Sequence, residues 1–256
     1  MDNRQFQAAL CYRLQLPQPC IKPLAHMGTL RCTCAAHPEV DPQGHHLITG
    51  CGKMGYRHRT HDNVNRELIN YAGVATKREE QHCFRVAFPD SNLRPDISID
   101  EGSFTNTKMV LDTAITCTLT GCAEQQPPTL TVQRASAVQE GRAARNMAAA
   151  KRRKYGDVAA ANGLEFTPLI FESSGYMHDN LKQLLVKTAK FAAEWKKIPW
   201  DRLYGYMCTC LSMSLQKNQA NSVLARAQSL RSGTHTAQTR ISHQALVTFD
   251  DVAVQE

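Results

Sequence analysis

Three cysteines and a histidine crowd into residues 32–51, at Cys32, Cys34, His46 and Cys51. The surrounding sequence is rich in turn residues and has little periodicity, so this loop region needs a cross-link to stabilise its fold. Zinc prefers tetrahedral thiolate and imidazole ligands, and a closed site contributes folding free energy to such a segment. The compact spacing therefore predicts structural zinc rather than ordinary buried thiols and surface histidines. His45 and His37 are alternative ligands.

Composition limits the class of protein. The chain has 256 residues, a formal charge of +7 and 42% apolar residues, which allows one sizeable core or two small ones. No apolar run approaches the roughly 18 residues of a membrane span, and the start MDNRQFQ lacks the layout of a signal peptide. We expect a nuclear or cytoplasmic protein with no membrane partner, and the net positive charge suggests an acidic partner, nucleic acid first.

In such a reducing compartment the remaining cysteines are expected to be core thiols rather than disulfides. They are Cys11, Cys20, Cys83, Cys117, Cys122, Cys208 and Cys210.

Helical periodicity and capping residues predict five helices. Asp62 or Asn63 is the expected N-cap of the second, Asp179 of the fourth and Asp201 of the fifth. The expected ranges are 5–16, 62–74, 135–162, 179–195 and 201 to about 230. Beyond Arg231 the composition of Ser, Gly, Thr, Gln and His predicts a loose tail.

Strand patterns occur in two places. Residues 94–118 contain alternating Ile97 and Ile99, then turn residues, then the β-branched run MVLDTAIT, which together predict a hairpin. Residues 166–175 predict a further short apolar strand. Strands among helices indicate an α/β fold.

Two carboxylates lie on the predicted hairpin, Asp96 after a proline and Asp112 inside the apolar run. Oxygen ligands on adjacent strands can converge on one point, and Mg²⁺ or Mn²⁺ prefers such hard ligands. A buried strand carboxylate is also costly unless a cation or a donor compensates it. The alternatives are that Asp96 ends a strand at a turn and that Asp112 pairs with an arginine.

The helix predicted at 135–162 is strongly basic, with seven basic residues between Arg134 and Lys154 and Glu140 as the one acid. Lys151, Lys154 and Tyr155 share one helical face and can point at one site. Four arginines are candidates for contact with nucleic-acid phosphates, by long-range attraction in the case of the last two: Arg142, Arg145, Arg152 and Arg153.

The order of these parts resembles the C-terminal region of reverse transcriptases from non-LTR retrotransposons, over about residues 8–228. In that family a CCHC zinc knuckle precedes a restriction-like endonuclease of the PD-(D/E)XK superfamily. The motifs that carry the resemblance are Cys32-x-Cys34, the run DPQGHHLITGC at 41–51, His61-Asp62-Asn63, Ala72-Gly73, Arg94-Pro95-Asp96, Asp112, Lys151 and Tyr155.

The resemblance implies roles for these residues. Cys32, Cys34, His46 and Cys51 would bind zinc; Asp96 and Asp112 would bind Mg²⁺ or Mn²⁺; Lys151 would be the catalytic lysine, with Lys154 as its rival and Tyr155 as a neighbour. The superfamily's usual lysine place is Ala114 here, so the helix would supply the lysine. His61 falls where the family has an arginine-histidine-asparagine step, although Thr60 and Asp62 flank it and Arg57-His58 offers another alignment.

The expected fold is a restriction-endonuclease-like core, a small mixed sheet flanked by helices. Residues 1–60 would form a leading helix and zinc knuckle, 61–230 the core with C-terminal helices, and 231–256 a flexible tail. No Tyr-x-Asp-Asp polymerase motif is present, so a standalone reading frame from an element's C-terminal end, active or decayed, is expected.

The implied function is a metal-dependent DNA endonuclease whose partners are DNA and possibly the element RNA. The alternatives are a zinc-stapled nucleic-acid-binding module without activity and a protein-interaction module built on the C-terminal helices.

Overall fold

The computed structural model describes residues 1–25, 30–34, 38–51, 56–73, 76–80, 82–102, 104–117 and 139–232. The helices are α1 Asn3–Arg13, α2 Lys22–Ala25, α3 Tyr56–Ala72, α4 Arg142–Ala161, α5 Asp179–Lys196 and α6 Trp200–Ser232, with a π-helical turn at His46–Gly50. The strands are β1 Thr76–Arg78, β2 Ile97–Ile99, β3 Met109–Thr116 and β4 Glu165–Glu172.

The four strands form one open sheet in the order β1-β2-β3-β4. The pairs β1–β2 and β2–β3 are antiparallel, and Ile97 lies opposite Leu111. The pair β3–β4 is parallel and is connected through α4. The predicted hairpin and the predicted final strand are therefore confirmed, and the chain is a mixed α/β protein with a small mixed sheet flanked by helices.

Helices cover both faces of the sheet. On one face, apolar side chains of β2, β3 and β4 pack against α3, α5 and α6 in the largest core, which includes Ile97, Leu111, Leu169, Leu181 and Leu211. On the other face α4 lies against the sheet. Its small residues Ala144 and Ala148 pack on Ile170, and Tyr155 packs with Val110. Small side chains let α4 approach the strands closely, and this brings its polar residues near β3.

A second core joins the N-terminal segment to the end of α6. Tyr12 of α1, Ile21 and Leu47 are buried against Val223 and Ala227 of α6. The long helix α6 therefore contributes apolar side chains to both cores. The division into segments 1–60, 61–230 and 231–256 stays a prediction.

Three predicted N-caps are wrong. Helix α3 begins at Tyr56, so Asp62 and Asn63 lie inside it; the polar stretch before Val64 is helical although it carries no apolar period. His178 caps α5 in place of Asp179, because its Nδ1 accepts a hydrogen bond from Asn180 N–H at 3.2 Å. Asp201 is the second residue of α6, where a carboxylate favours the helix dipole.

The ends of two other helices also differ from the prediction. Helix α1 ends at Arg13, because Gln15 adopts a left-handed φ of 56°. Helix α4 starts at Arg142, after Gly141 with φ 69°. A Cβ on Gly141 would lie 2.5 Å from the Tyr176 ring, so glycine is required there. Of the residues predicted to precede it, 135–138 lie outside the described residues.

Strand β1 is new relative to the prediction. It has three residues that are half-buried or exposed, so no apolar alternation marks it. Apart from Arg231 and Ser232, which close α6, the predicted tail lies outside the described part of the chain. None of the helices in the described ranges has both the length and the apolar character that a membrane crossing requires.

Candidate functional site

The four predicted zinc ligands come together near the N-terminus. The Sγ atoms of Cys32 and Cys51 are 3.7 Å apart, Cys34 Sγ is 3.4 Å from His46 Nε2, and all four ligand atoms lie within 4.8 Å of one another. A tetrahedral zinc site with metal–sulfur bonds of about 2.3 Å has sulfur–sulfur edges of about 3.8 Å. The residues therefore fit such an ion, and the cluster could hold zinc.

Backbone contacts fix the positions of these ligands. A β-bridge between Arg31 and Glu39 closes the loop that carries Cys32 and Cys34, and the π-helical turn carries His46. Cys51 N–H donates to the carbonyl of His46 at 2.8 Å, which ends that turn. Two neighbouring ligands are thus held on one short, hydrogen-bonded turn.

Helix α6 holds this turn in place from outside. Ser222 Oγ donates to the carbonyl of Leu47 at 2.8 Å, and Arg226 donates to the same carbonyl. Arg226 also donates to the carbonyl of Cys51 at 2.7 Å. We call the segment that carries the four ligands, Cys32 to Cys51, the ligand loop. Because Arg226 is buried, these contacts hold the ligand loop firmly against α6.

His46, rather than His45, faces the cluster. The ring of His45 lies 2.8 Å from Asp41 Oδ1 through Nδ1 and 2.8 Å from Gln15 Oε1 through Nε2, so both nitrogens are engaged elsewhere. His37 lies outside the described residues. Burial, followed by the charge of Arg226, lowers the pKa of His46 and so favours the neutral imidazole that binds metals.

The cysteines outside the cluster are partly in cores. Cys20 and Cys117 are buried, whereas Cys11, Cys83, Cys208 and Cys210 are half-buried. Cys83 and Cys208 pack at the edges of cores, and Cys122 lies outside the described residues. The nine cysteines that the structure describes form no disulfide with one another.

A second polar cluster lies between β3 and α4. Asp112 is in the middle of β3, and its side chain is 5% exposed. Lys151 of α4 places Nζ 2.5 Å from Asp112 Oδ2, and Tyr155, one turn further along α4, hydrogen-bonds to the same carboxylate. The structure thus brings three of the predicted site residues together. Asp112 pairs with a lysine, not with an arginine.

Asp96 lies across the strand pair from Asp112. Ile97 pairs with Leu111, and extending this register by one residue places Asp96 opposite Asp112. Asp96 Oδ2 accepts from Thr113 N–H at 2.6 Å and from His61 Nε2 at 3.0 Å. The negative charge of Asp96 acts on Asp112, so the two carboxylates are electrostatic neighbours.

Burial governs the protonation of these groups. Desolvation, aided by Asp96, raises the pKa of Asp112, and Lys151 and Tyr155 oppose this in part. Desolvation and the charge of Asp112 raise the pKa of Tyr155. For His61, burial disfavours the charged ring, but hydrogen bonds to Asp96 and Asp62 outweigh it and raise its pKa. A positive charge placed between the carboxylates would relieve their mutual repulsion.

The remaining predicted residues also lie on α4. Lys154 is exposed, and its Nζ sits 4.9 Å from the centre of the Tyr155 ring, so Lys151 is the lysine that reaches Asp112. Arg145, Arg152 and Arg153 are exposed and Arg142 is half-buried, and Arg152 donates to Asn180 at 3.0 Å.

Two supporting residues were missed from the sequence. Asn65 Oδ1 accepts from the Thr113 hydroxyl at 2.5 Å, and this bond ties α3 to the strand that carries Asp112. His61 was noted for its place in a motif, without a partner. Its i, i+4 spacing from Asn65 could have marked a polar face of α3, had the helix been predicted to begin before residue 62.

The first cluster is a thiolate–imidazole set that could hold a metal such as zinc, and the second is a carboxylate pair with a lysine. No protein-family model matches the chain, and no curated protein matches it significantly.

Proposed function

We propose that this chain is a metal-dependent DNA endonuclease with a restriction-endonuclease-like core, as the resemblance to the retrotransposon region implies. One observation carries the proposal: Asp112 and Lys151, which are far apart in the sequence, meet at 2.5 Å beside Asp96. Two hard carboxylates with a lysine are the donor set expected for phosphodiester hydrolysis assisted by Mg²⁺ or Mn²⁺.

The carboxylates Asp96 and Asp112 would hold the cation, which supplies a water of lowered pKa and stabilises developing negative charge. Asp96 is oriented from outside by Thr113 N–H and by His61. Such fixed partners hold a ligand oxygen in one position and so reduce the cost of assembling the site. The partly exposed Lys151 Nζ, 22% exposed as a side chain, can also neutralise a phosphate oxygen.

Around the site, the exposed arginines of α4 can contact the phosphates of a bound strand. Arg145, Arg152 and Arg153 lie on the same helix as Lys151. A basic helix beside an acidic pair attracts the polyanion while the cation screens the acids. DNA is therefore the proposed substrate, and the zinc cluster is proposed as a structural element.

Nicking of supercoiled plasmid by the purified chain tests this proposal. With Mg²⁺ or Mn²⁺ the wild type converts the plasmid to the open circle, and Asp112→Asn and Asp96→Asn reduce the rate at least about a hundredfold, because each removes a charged cation ligand. The matched control is Asp90→Ala, which removes the exposed acid of Pro89-Asp90, a second Pro-Asp pair six residues before Pro95-Asp96, and leaves nicking unchanged. A wild type that fails to nick the plasmid in every divalent metal tried would refute the proposed endonuclease activity.

A second candidate is a zinc-stapled nucleic-acid-binding module without catalysis. The exposed arginines of α4 favour it, since phosphate contact by these residues does not require the acidic pair. This candidate predicts that a gel shift with DNA weakens steeply as salt rises, while nicking is absent in every divalent metal. Retained DNA binding by an Asp112→Asn variant that no longer nicks would instead support the enzyme.

A further inference from the structure

The turn between α5 and α6 exposes both tryptophans of the chain. Trp195, in the last turn of α5, is 54% exposed, and Trp200, the first residue of α6, is 43% exposed. Ile198 between them is 42% exposed. We call residues 190–202 the tryptophan tip. Large aromatic side chains grouped at a surface mark a contact site more often than a solvent face.

Positive charge surrounds these rings. Lys190 Nζ lies 5.2 Å from the centre of the Trp200 ring, and Lys196 Nζ lies 5.0 Å from that of Trp195. Lys197 and Arg202 are exposed in the same tip, whose acids are Glu194 and Asp201. Cations therefore outnumber acids by four to two in the tip. An aromatic face with an adjacent cation suits a base together with its phosphate.

The ring of Trp195 is held in position. A Cβ on Gly73, just beyond the end of α3, would lie 2.6 Å from Cζ2 of Trp195, so the indole edge rests against this backbone. Lys197 adopts a left-handed φ of 56° and closes α5, and Pro199 precedes α6. A preordered aromatic surface loses little conformational entropy on binding.

Helix α3 links the tip to the carboxylate pair. His61, which hydrogen-bonds to Asp96, and Gly73, which touches Trp195, are twelve residues apart along α3. This spacing corresponds to about 18 Å along a helix, which a few nucleotides of one strand can cover. One DNA strand can therefore span both places.

We infer that the tryptophan tip stacks the unpaired bases of single-stranded DNA a few nucleotides from the scissile phosphate. This inference rests on the proposed function, since it assigns DNA as the polymer. Paired bases already stack on one another within a duplex, and indole rings at a protruding turn offer their faces to bases that lack this stacking. The preferred substrate would then be DNA with an unpaired stretch beside the cleavage point.

Intrinsic fluorescence tests the tip directly, because both tryptophans of the chain lie in it. In an Asp112→Asn background, a twenty-nucleotide oligo-dT is expected to quench the emission and to bind more tightly than a duplex of equal length. Trp195→Ala and Trp200→Ala each weaken binding about tenfold, the size of one lost base stack. Phe6→Ala, which removes an exposed aromatic on α1, is the matched control and leaves affinity unchanged.

Trp195→Ala could disturb the packing on Gly73, so Trp200→Ala and the double change Lys196→Gln/Lys197→Gln provide independent readouts, with circular dichroism confirming the fold. DNA binding without quenching would overturn the inference. Quenching or a blue shift with anionic lipid vesicles but not with oligo-dT would assign the tip to a membrane and overturn it. A concentration-dependent blue shift without DNA would assign the tip to self-association, and tighter binding of oligo-U would assign it to RNA; each overturns it.

These outcomes separate the inference from the nuclease proposal. A chain that never nicks but is quenched by oligo-dT retains the tip as a single-strand site and loses the enzyme. A chain that nicks but whose tryptophans are not quenched by oligo-dT retains the enzyme and loses the tip as a single-strand site.

Discussion

Asp112 is an acid in an otherwise apolar strand, and its neighbours explain how the fold tolerates it. Lys151 and Tyr155 approach from α4 and offset part of the desolvation that raises the pKa of Asp112. Burying a carboxylate beside a second acid costs stability, and such costs are typical of functional sites. The exposed Lys154, one turn along α4, lies over the ring of Tyr155, whereas Lys151 is the lysine that pairs with Asp112.

The two lysines can be separated by substitution. Lys151→Met is expected to reduce plasmid nicking by about a hundredfold, because it removes the cation next to Asp112 and the phosphate. Lys154→Met keeps the same helix and the same loss of charge, and we expect a change of less than about threefold from this surface position. Initial rates in Mg²⁺ measure both. Equal losses for the two variants would show that charge alone, not position, matters.

How far these residues could be predicted depends on sequence distance. The zinc ligands lie within twenty residues, so their spacing alone carried the prediction. Asp112 could be singled out because it interrupts an apolar run. The contacts of Asp96 with His61 and of Asn65 with Thr113 join residues 35 and 48 positions apart, and no local pattern encodes such pairs.

At the scale of elements, helix α4 depends on a strand for its N-terminus. Glu172, at the end of β4, accepts a hydrogen bond from Ala144 N–H at 3.0 Å and is buried. It therefore performs the capping role that the glycine before the helix lacks. Glu172 lies 28 residues from Ala144, beyond the far end of the helix, which explains why the start of α4 could not be predicted from a neighbouring Ser, Thr, Asp or Asn.

The charge of Glu172 leads to a pH-dependent prediction. Burial raises its pKa, and hydrogen bonds from Ala144 and Ser174 oppose this in part. The folded state therefore holds the proton more tightly than the unfolded chain does. Stability is lost as pH rises from the unfolded pKa to the raised folded pKa, and the penalty is constant above that.

Glu172→Gln keeps an acceptor for Ala144 without the charge. We expect this variant to be more stable than the wild type at pH 7 and the difference to vanish near pH 4, as measured by urea unfolding at both values. Glu172→Ala removes the cap and should cost about 1–2 kcal/mol near pH 4. Its cost should be smaller at pH 7, where the change also removes the charge penalty that the wild type carries. A Gln variant less stable than the wild type at pH 7 would show that the ionised form is favoured in the folded protein.

On the scale of the whole molecule, helix α6 packs in both cores, and we call it the shared wall of the two cores. Leu203, Met207 and Leu211 of α6 pack in the sheet core, whereas Ala220 and Val223 pack with the ligand loop and α1. The 33 residues of α6 correspond to about 50 Å of helix. Unfolding of either core would therefore expose part of the helix on which the other core also packs.

Metal removal should reveal this coupling. Purified protein is expected to contain about one zinc per chain, and chelation or Cys51→Ser should lower the melting temperature, because the site contributes folding free energy. Metal analysis and thermal unfolding by circular dichroism provide the measurements. Cys11→Ser, which changes a half-buried thiol outside the cluster, is the control. A metal-free protein that melts at the same temperature would show that zinc does not stabilise the fold.

Arg226 offers a second test of the shared wall without touching a ligand. It donates to the carbonyls of Leu47 and Cys51. Arg226→Met takes this donor from the Cys51 carbonyl and leaves the Leu47 carbonyl with Ser222 alone, so it should cost about 1–3 kcal/mol in urea unfolding. The matched change Arg153→Met, at an exposed position of α4, should cost less than about 0.5 kcal/mol. Equal stability of the two variants would show that the contact contributes little.

The shared wall also has a consequence for inheritance. Because α6 lies far from the ligand loop in sequence yet covers it, a recombination event that moved residues 30–51 alone into another protein would leave an apolar face open on each product. We therefore expect the loop and the C-terminal part of α6 to be inherited together, because each covers an apolar face of the other.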